Sequence, residues 1–172
     1  RSANETLIQD EKVYGVPLGV DTLGVIYNQE HLIDRLSDRN TSAPTWEDLV
    51  QDTSELTTKN NSVSRFLISG TALGRIDNIS YPAEILENIM LQSGTTFFSE
   101  DRTEALLAKS IGVTPNGKRS NFGIDSVDLF LSFGDSRYKN YSWNEYITGF
   151  APEEREVNPF VRGKVSMIIG YP

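Results

Sequence analysis

The chain has 172 residues, 38% of them hydrophobic and 23% charged, with a formal net charge of −8. That length supports one domain with a sizeable core, and the acidic balance disfavours nucleic acid and anionic membranes as partners. There is no run of about 18 apolar residues, so no transmembrane helix is expected, and the lack of cysteine excludes disulfides, thiol catalysis and cysteine-held zinc within this segment.

The opening six residues are polar and carry no secretory signal, while the chain closes directly after an apolar run. Both ends are expected of a segment of a longer protein whose signal sequence lies upstream. Residues 13–27 are rich in Val, Leu and Ile but broken by Gly15, Pro17 and Gly19, which predicts an irregular or bent strand. Asp21 stands alone in that apolar run, where a buried carboxylate needs a partner. A short helix is predicted from 29 to about 36. Thr45 caps a second helix, with Asp48 where a capping box prefers Glu or Gln, and Trp46, Leu49, Val50, Thr53 and Leu56 on its apolar face.

Residues 65–69 read as a short buried strand. Pro82 opens a helix over 82–92 with Ile85, Leu86, Ile89 and Met90 inward, and Gly94 stops it. A helix over 104–110 and a turn at 115–118 are expected, then a helix over 125–133 with Val127, Phe130 and Leu131 inward. Residues 138–150 form an aromatic-rich loop holding Tyr138, Tyr141, Trp143, Tyr146 and Phe150. A short acidic helix over 153–161 and a buried strand over 164–169 complete the chain. Strands alternating with helices predict an α/β layered domain.

Chemistry-bearing motifs are few. His31 is the single histidine, so no paired-histidine metal site exists, and the run Glu153-Glu154-Arg155-Glu156 matches no calcium loop and reads as a solvated helix face. No Gly-x-Ser-x-Gly elbow is present. The stretch from Gly70 to Gly74 lacks the Lys-Ser/Thr ending of a phosphate loop and reads as a turn leaving a strand. Asn4, Asn40, Asn60, Asn78 and Asn140 each open an Asn-x-Ser/Thr triplet, a number that chance supplies in so Asn- and Ser-rich a chain. Tyr and Trp rings in the 138–150 loop suit either stacking on a sugar or covering the domain's own core.

Four segments, in order, carry a resemblance. Tyr14-Gly-Val-Pro-Leu-Gly-Val-Asp-Thr-Leu-Gly-Val-Ile-Tyr-Asn28 resembles the hinge strand of the extracellular solute-binding proteins of ABC importers, in the sugar-binding group related to maltose-binding protein. Ala43-Pro-Thr-Trp-Glu-Asp-Leu49 is similar to that family's Pro-x-Thr-Trp helix start, and Ile85-Leu-Glu-Asn-Ile-Met-Leu-Gln-Ser-Gly94 to its helix ending in Gln-x-Gly. Asn158-Pro-Phe-Val-Arg-Gly-Lys-Val-Ser-Met-Ile-Ile-Gly170 is similar to its Phe-x-x-Gly-Lys-x-Ala-Met strand entry, with Ser166 in place of the usual Ala.

The resemblance implies a periplasmic-binding-protein-like (type II) α/β lobe, with layered helices on a short mixed sheet. Residues 1–172 would be one partial lobe of a two-lobe protein roughly twice as long, with a hinge segment at about 13–28 and the lobe body over 29–172. It also implies a non-enzymatic binder of a small solute, a sugar or oligosaccharide, in a cleft between lobes, working with a membrane permease and with no cofactor. Export to the cell envelope, with or without a lipid anchor, goes with that role. Asp21 would reach sugar hydroxyls or, equally, fix the hinge by accepting backbone N–H groups. Ser80 and Tyr81 precede the helix at Pro82, where relatives place a cleft-facing residue and where free N–H groups would meet ligand oxygens. Tyr171 follows the strand end where relatives stack a ring on the sugar, and Tyr141 and Trp143 lie in the loop near the same rim. A rival reading is a secreted carbohydrate-active hydrolase with Asp21 or Glu145 as acid, and a third is a structural surface domain without a small ligand.

Overall fold

A computed structural model describes residues 8–9, 12–16, 19, 21–36, 45–60, 65–147, 151 and 154–172. Its centre is a four-stranded mixed sheet of β3 (Gly24–Tyr27), β8 (Val165–Gly170), β5 (Arg65–Thr71) and β4 (Thr58–Asn60), in that order across the sheet. β8 runs antiparallel to β3, with Gly24 opposite Gly170 and Tyr27 opposite Met167. It runs parallel to β5, with Ser69 opposite Val165 and Thr71 opposite Met167. All six residues of β8 are buried, as expected for a strand covered on both faces. A two-stranded pair, β1 (Ile8–Gln9) and β2 (Lys12–Val13), and a hairpin, β6 (Ile111–Val113) with β7 (Arg119–Asn121), lie outside this sheet.

Helices cover the sheet where the local chemistry starts them. Helix α1 (Gln29–Arg35) begins on Asn28, whose side chain accepts from the amides of Glu30 and His31. Its His31 ring shares a 2.9 Å hydrogen bond through Nδ1 with the Ser166 hydroxyl, so the serine at that buried place on β8 has a partner. Helix α2 (Trp46–Leu56) begins on Thr45, which accepts from the Asp48 amide at 3.1 Å and donates to the Asp48 carboxylate at 2.7 Å. The box therefore closes on the two side chains. Thr53 of α2 and Thr71 of β5 share a buried hydroxyl contact of 2.5 Å, and a Cβ on Gly70 would lie 2.3 Å from the Thr53 carbonyl oxygen. Only glycine lets that helix sit so close to the strand.

Helix α3 (Pro82–Ser93) ends on Gly94 at φ +85°, the left-handed conformation a helix stop favours. Helix α4 (Phe122–Ser132) and the short α5 (Val157–Val161) complete the layer. One hydrophobic core joins Leu49 and Leu56 of α2, Ile85 and Ile89 of α3, Phe130 of α4, and Phe66, Val165 and Met167 of the sheet.

Several expectations change. The apolar stretch 13–27 is not one strand: pairing stops at Val13 and resumes at Gly24. Asp21 lies between the paired segments and is exposed, so its carboxylate keeps its water and the burial problem vanishes. The helix expected over 104–110 shrinks to a 3-10 turn at Leu107–Lys109, and the residues after it pair as the hairpin. Helix α4 starts three residues early because Asn121 accepts from the Ile124 amide and caps it. Its inward face is then Gly123, Ser126 and Phe130, leaving Leu131 48% exposed. Glu156 is not on a solvated face but 2% exposed, while Glu153 lies outside the described residues, as does Phe150.

Truncation of Leu49, 2% exposed, should therefore cost about 2–5 kcal/mol as Leu49→Ala. Leu131→Ala should stay within about 0.5 kcal/mol. Urea unfolding of both variants checks the assignment, and equal losses would refute it.

Candidate functional site

Parallel pairing sends β5 and β8 toward the same end of the sheet, and antiparallel β3 enters from that end. Gly24 opposite Gly170 therefore brings the approach to β3, with Asp21, to the end where β8 releases Tyr171. In open α/β sheets this carboxyl end is where ligands bind. The chain leaving β5 returns there as well. From Thr71 it runs through Gly74 and Ser80 to Tyr81, and a Cβ on Gly170 would lie only 3.7 Å from the Tyr81 ring.

The two rings meet edge to face. Tyr81 and Tyr171 have centroids 5.0 Å apart and planes at 85°, a favourable aromatic geometry. Tyr171 is 38% exposed and Tyr81 half-buried, so the pair shows a partly wet aromatic surface. Tyr81 is also the N-cap of α3 and offers it no side-chain hydrogen bond. The first amides of α3 after Pro82 are thus not capped by that side chain. Ser80, half-buried, donates its backbone N–H to Glu156 Oε1 at 3.1 Å. Asp21, Ser80, Tyr81 and Tyr171 come to one end of the sheet. Aromatic faces, phenol hydroxyls and a solvated carboxylate toward one end of the sheet suit a polyhydroxylated ligand with apolar ring faces.

Trp143 does not join them. It is 1% exposed, and its indole N–H donates to Asn78 Oδ1 at 2.7 Å. Asn78 in turn donates to the Asn144 carbonyl, so Trp143 pins the 76–81 segment from within and has no face to offer a ligand. Tyr141 is half-buried between neighbours of its own. Its ring meets Phe66 edge to face at 5.1 Å, the Lys59 ammonium sits 4.7 Å from its centroid, and its hydroxyl accepts from Asn144. Burial lowers the Lys59 pKa below the ordinary lysine value.

Glu145, the rival acid, is held by Arg75 at 2.6 Å. Arg75 also grips Asp77 with two nitrogens, at 2.9 and 2.6 Å, and that hydrogen bonding holds the Asp77 carboxyl below its usual range and raises the guanidinium. The trio sits just past Gly74, at φ +92°, whose added Cβ would lie 2.3 Å from the Gly134 amide nitrogen. Gly70 to Gly74 is thus the strand end and exit turn that the sequence suggested, pressed against the end of α4. The sequence singles out neither Arg75 nor Asp77, reads Asn78 only as the start of a triplet and places Glu156 on a solvated face; position after the turn at Gly74 is the one available signal for the first three. Among the described residues no group of three or more His, Asp or Glu could hold a metal.

A cavity of about 170 Å³ opens beside this end of the sheet, walled by Leu23, Val25, Leu49, Ile85 and Ile169, with Asn88 and Gln92 at its polar side. Trp46, half-buried, closes part of it by donating from its indole to Gln92 at 2.6 Å.

No protein-family profile matches the chain, nor does any curated protein sequence. Solved structures do. One is the ABC substrate-binding protein Lmo0181 from Listeria monocytogenes in complex with cycloalternan, at TM-score 0.66 and 18% identity. An ABC transporter solute-binding protein from Thermotoga lettingae bound with α-D-tagatose follows at 0.63 and 17%. CpMnBP1 with mannobiose bound follows at 0.59 and 20%. Each match covers 98% of this chain but only 37–38% of the other, less than the half that the sequence suggested. The fold is that of type II periplasmic binding proteins, as a mixed α/β sheet with helices, and these neighbours are binding proteins.

The Arg75–Asp77 pair carries a pH signature. A carboxyl whose folded pKa is depressed adds stability above its unfolded pKa, near 4, and loses it as pH falls through the folded value. Asp77 is largely exposed, so Asp77→Asn should cost no more than about 1 kcal/mol at pH 7. The wild-type advantage should shrink as pH falls below the unfolded value of about 4 and be lost once Asp77 is protonated in the folded state, as urea midpoints measured from pH 7 downward will show.

Proposed function

We propose that this chain contributes one wall of a sugar-binding cleft in the solute-binding component of an ABC importer. The observation that carries the reading is the gathering of Asp21, Ser80, Tyr81 and Tyr171 at the carboxyl end of β5 and β8, in a fold whose solved neighbours hold cycloalternan, α-D-tagatose and mannobiose. Residues 1–172 form a partial lobe, the segment 13–28 belongs to the hinge, and the opposite wall comes from the rest of a longer protein. The ligand is a sugar or oligosaccharide. The Tyr81–Tyr171 pair stacks on a ring face, Asp21 accepts from hydroxyls, and the start of α3, which the Tyr81 side chain does not cap, meets ligand oxygens.

Capture then proceeds without chemistry. Sugar docks on the open wall, the lobes close about the hinge, and the closed form is presented to a membrane permease. The protein works outside the cytoplasmic membrane, tethered or free. No helix among the described residues is long and apolar enough to cross a membrane. A hydrolase built on Glu145 is disfavoured, because Arg75 holds that carboxylate.

Titration calorimetry of the intact protein against mono- and disaccharides should give saturable binding with no product by chromatography. Asp21→Asn should weaken the best sugar by roughly 1.5–3 kcal/mol, the worth of a hydrogen bond to a charged group, with the melting temperature unchanged. An unchanged dissociation constant removes Asp21 from the site. The isolated 172-residue chain should bind far more weakly than the intact protein, and tight binding by the fragment alone would refute the two-wall arrangement.

A further inference from the structure

Glu156 is 2% exposed, and its Oε2 has no hydrogen-bond partner among the described residues. Its Oε1 makes one hydrogen bond, from the Ser80 amide at 3.1 Å. A carboxylate taken out of water with half its acceptor capacity unused is a poor packing element, since a glutamine or leucine of similar volume would cost less there. What the residue does have is a specific contact between two distant parts of the chain. Ser80 immediately precedes Tyr81. Glu156 is the N-cap of α5, which turns at Gly163 into β8 and so leads to Tyr171. The Ser80–Glu156 bond thus ties the segment carrying one ring to the segment carrying the other. Tyr81 makes no side-chain cap bond to fix the start of α3.

We propose that Glu156 is a positioning residue for the Tyr81–Tyr171 corner: acting through the Ser80 amide, it sets where the Tyr81 ring stands against Tyr171. It does not touch the sugar. The effect on affinity rests on the sugar-binding reading above, whereas the ring geometry is read without ligand.

The test uses the intact protein labelled with 3-fluorotyrosine, with the ¹⁹F resonances of Tyr81 and Tyr171 assigned by Tyr→Phe substitution. Glu156→Gln keeps an acceptor for the Ser80 amide and should leave both resonances in place and sugar affinity within about twofold. Glu156→Asp, one methylene too short, and Glu156→Leu, with no acceptor, should shift both resonances and weaken the best sugar by about tenfold. Tyr27, at the far end of β3, and exposed Tyr138 should stay put in every variant. Tyr81 and Tyr171 resonances unmoved in Glu156→Asp overturn the proposal, as does a shift of all tyrosines together; the Asp variant decides if Glu156→Leu fails to fold. A wild-type protein that binds no sugar overturns the functional reading instead, and the resonances still decide the role of Glu156.

Discussion

The position of β8 between β3 and β5 is the constraint on which the rest depends. It is buried along its length, parallel to one neighbour and antiparallel to the other. Because side chains alternate along a strand, slipping either register by one residue would turn Val165, Met167 and Ile169 out of their layer. It would also part Ser166 from His31. The same two registers determine that Tyr171, the exit from β5 and the approach to β3 share one end of the sheet. The candidate site thus owes its place to strand pairing, which brings these segments to one end of the sheet.

Behind that end lies an interior more polar than its composition suggests. Asn78 is held between the Trp143 indole and the Asn144 carbonyl, Ser142 donates to the Thr71 carbonyl, and Thr53 meets Thr71. Apolar contacts tolerate sliding, but a buried donor without its acceptor loses the full desolvation cost. These pairs therefore give the loop after β5 one conformation. They also explain why the largest aromatic of the 138–150 loop is turned inward: its N–H is needed by a buried amide.

What the sequence made legible was what local chemistry decides. Asn28 was not recognised as a cap, yet α1 began where the apolar run stopped, and Thr45, Pro82 and Gly94 marked helix ends that the structure keeps. What it hid was decided by distant partners. The hairpin at Ile111–Asn121 has strands of three residues, too short for alternation to register, and its Gly112 is held by the Phe122 ring, which a Cβ would overlap at 2.0 Å. Glu156 sits in a run of acids indistinguishable from a solvated face until Ser80 is brought to it. Asp21 misled in the opposite direction, because apolar neighbours in sequence suggested burial while the chain there leaves the sheet. Of the six candidate residues, the four beside strand or helix ends lie toward one end of the sheet, while Trp143 is buried and Tyr141 packs against Phe66.

The Asn78 and Asn140 side-chain amides are both spent inside the protein. Asn78 Nδ2 donates to the Asn144 carbonyl at 3.2 Å and Asn140 Nδ2 to the Ser132 hydroxyl at 2.6 Å, and both residues are buried. Each nonetheless opens a triplet that the oligosaccharyltransferase of a eukaryotic secretory pathway reads on the unfolded chain, before burial can protect it. Both nitrogens lie inside the fold, so a glycan attached at either would have to displace the packing around it. In a host that glycosylates such triplets, modification at Asn78 or Asn140 would therefore compete with folding, a conflict absent from a host without that enzyme.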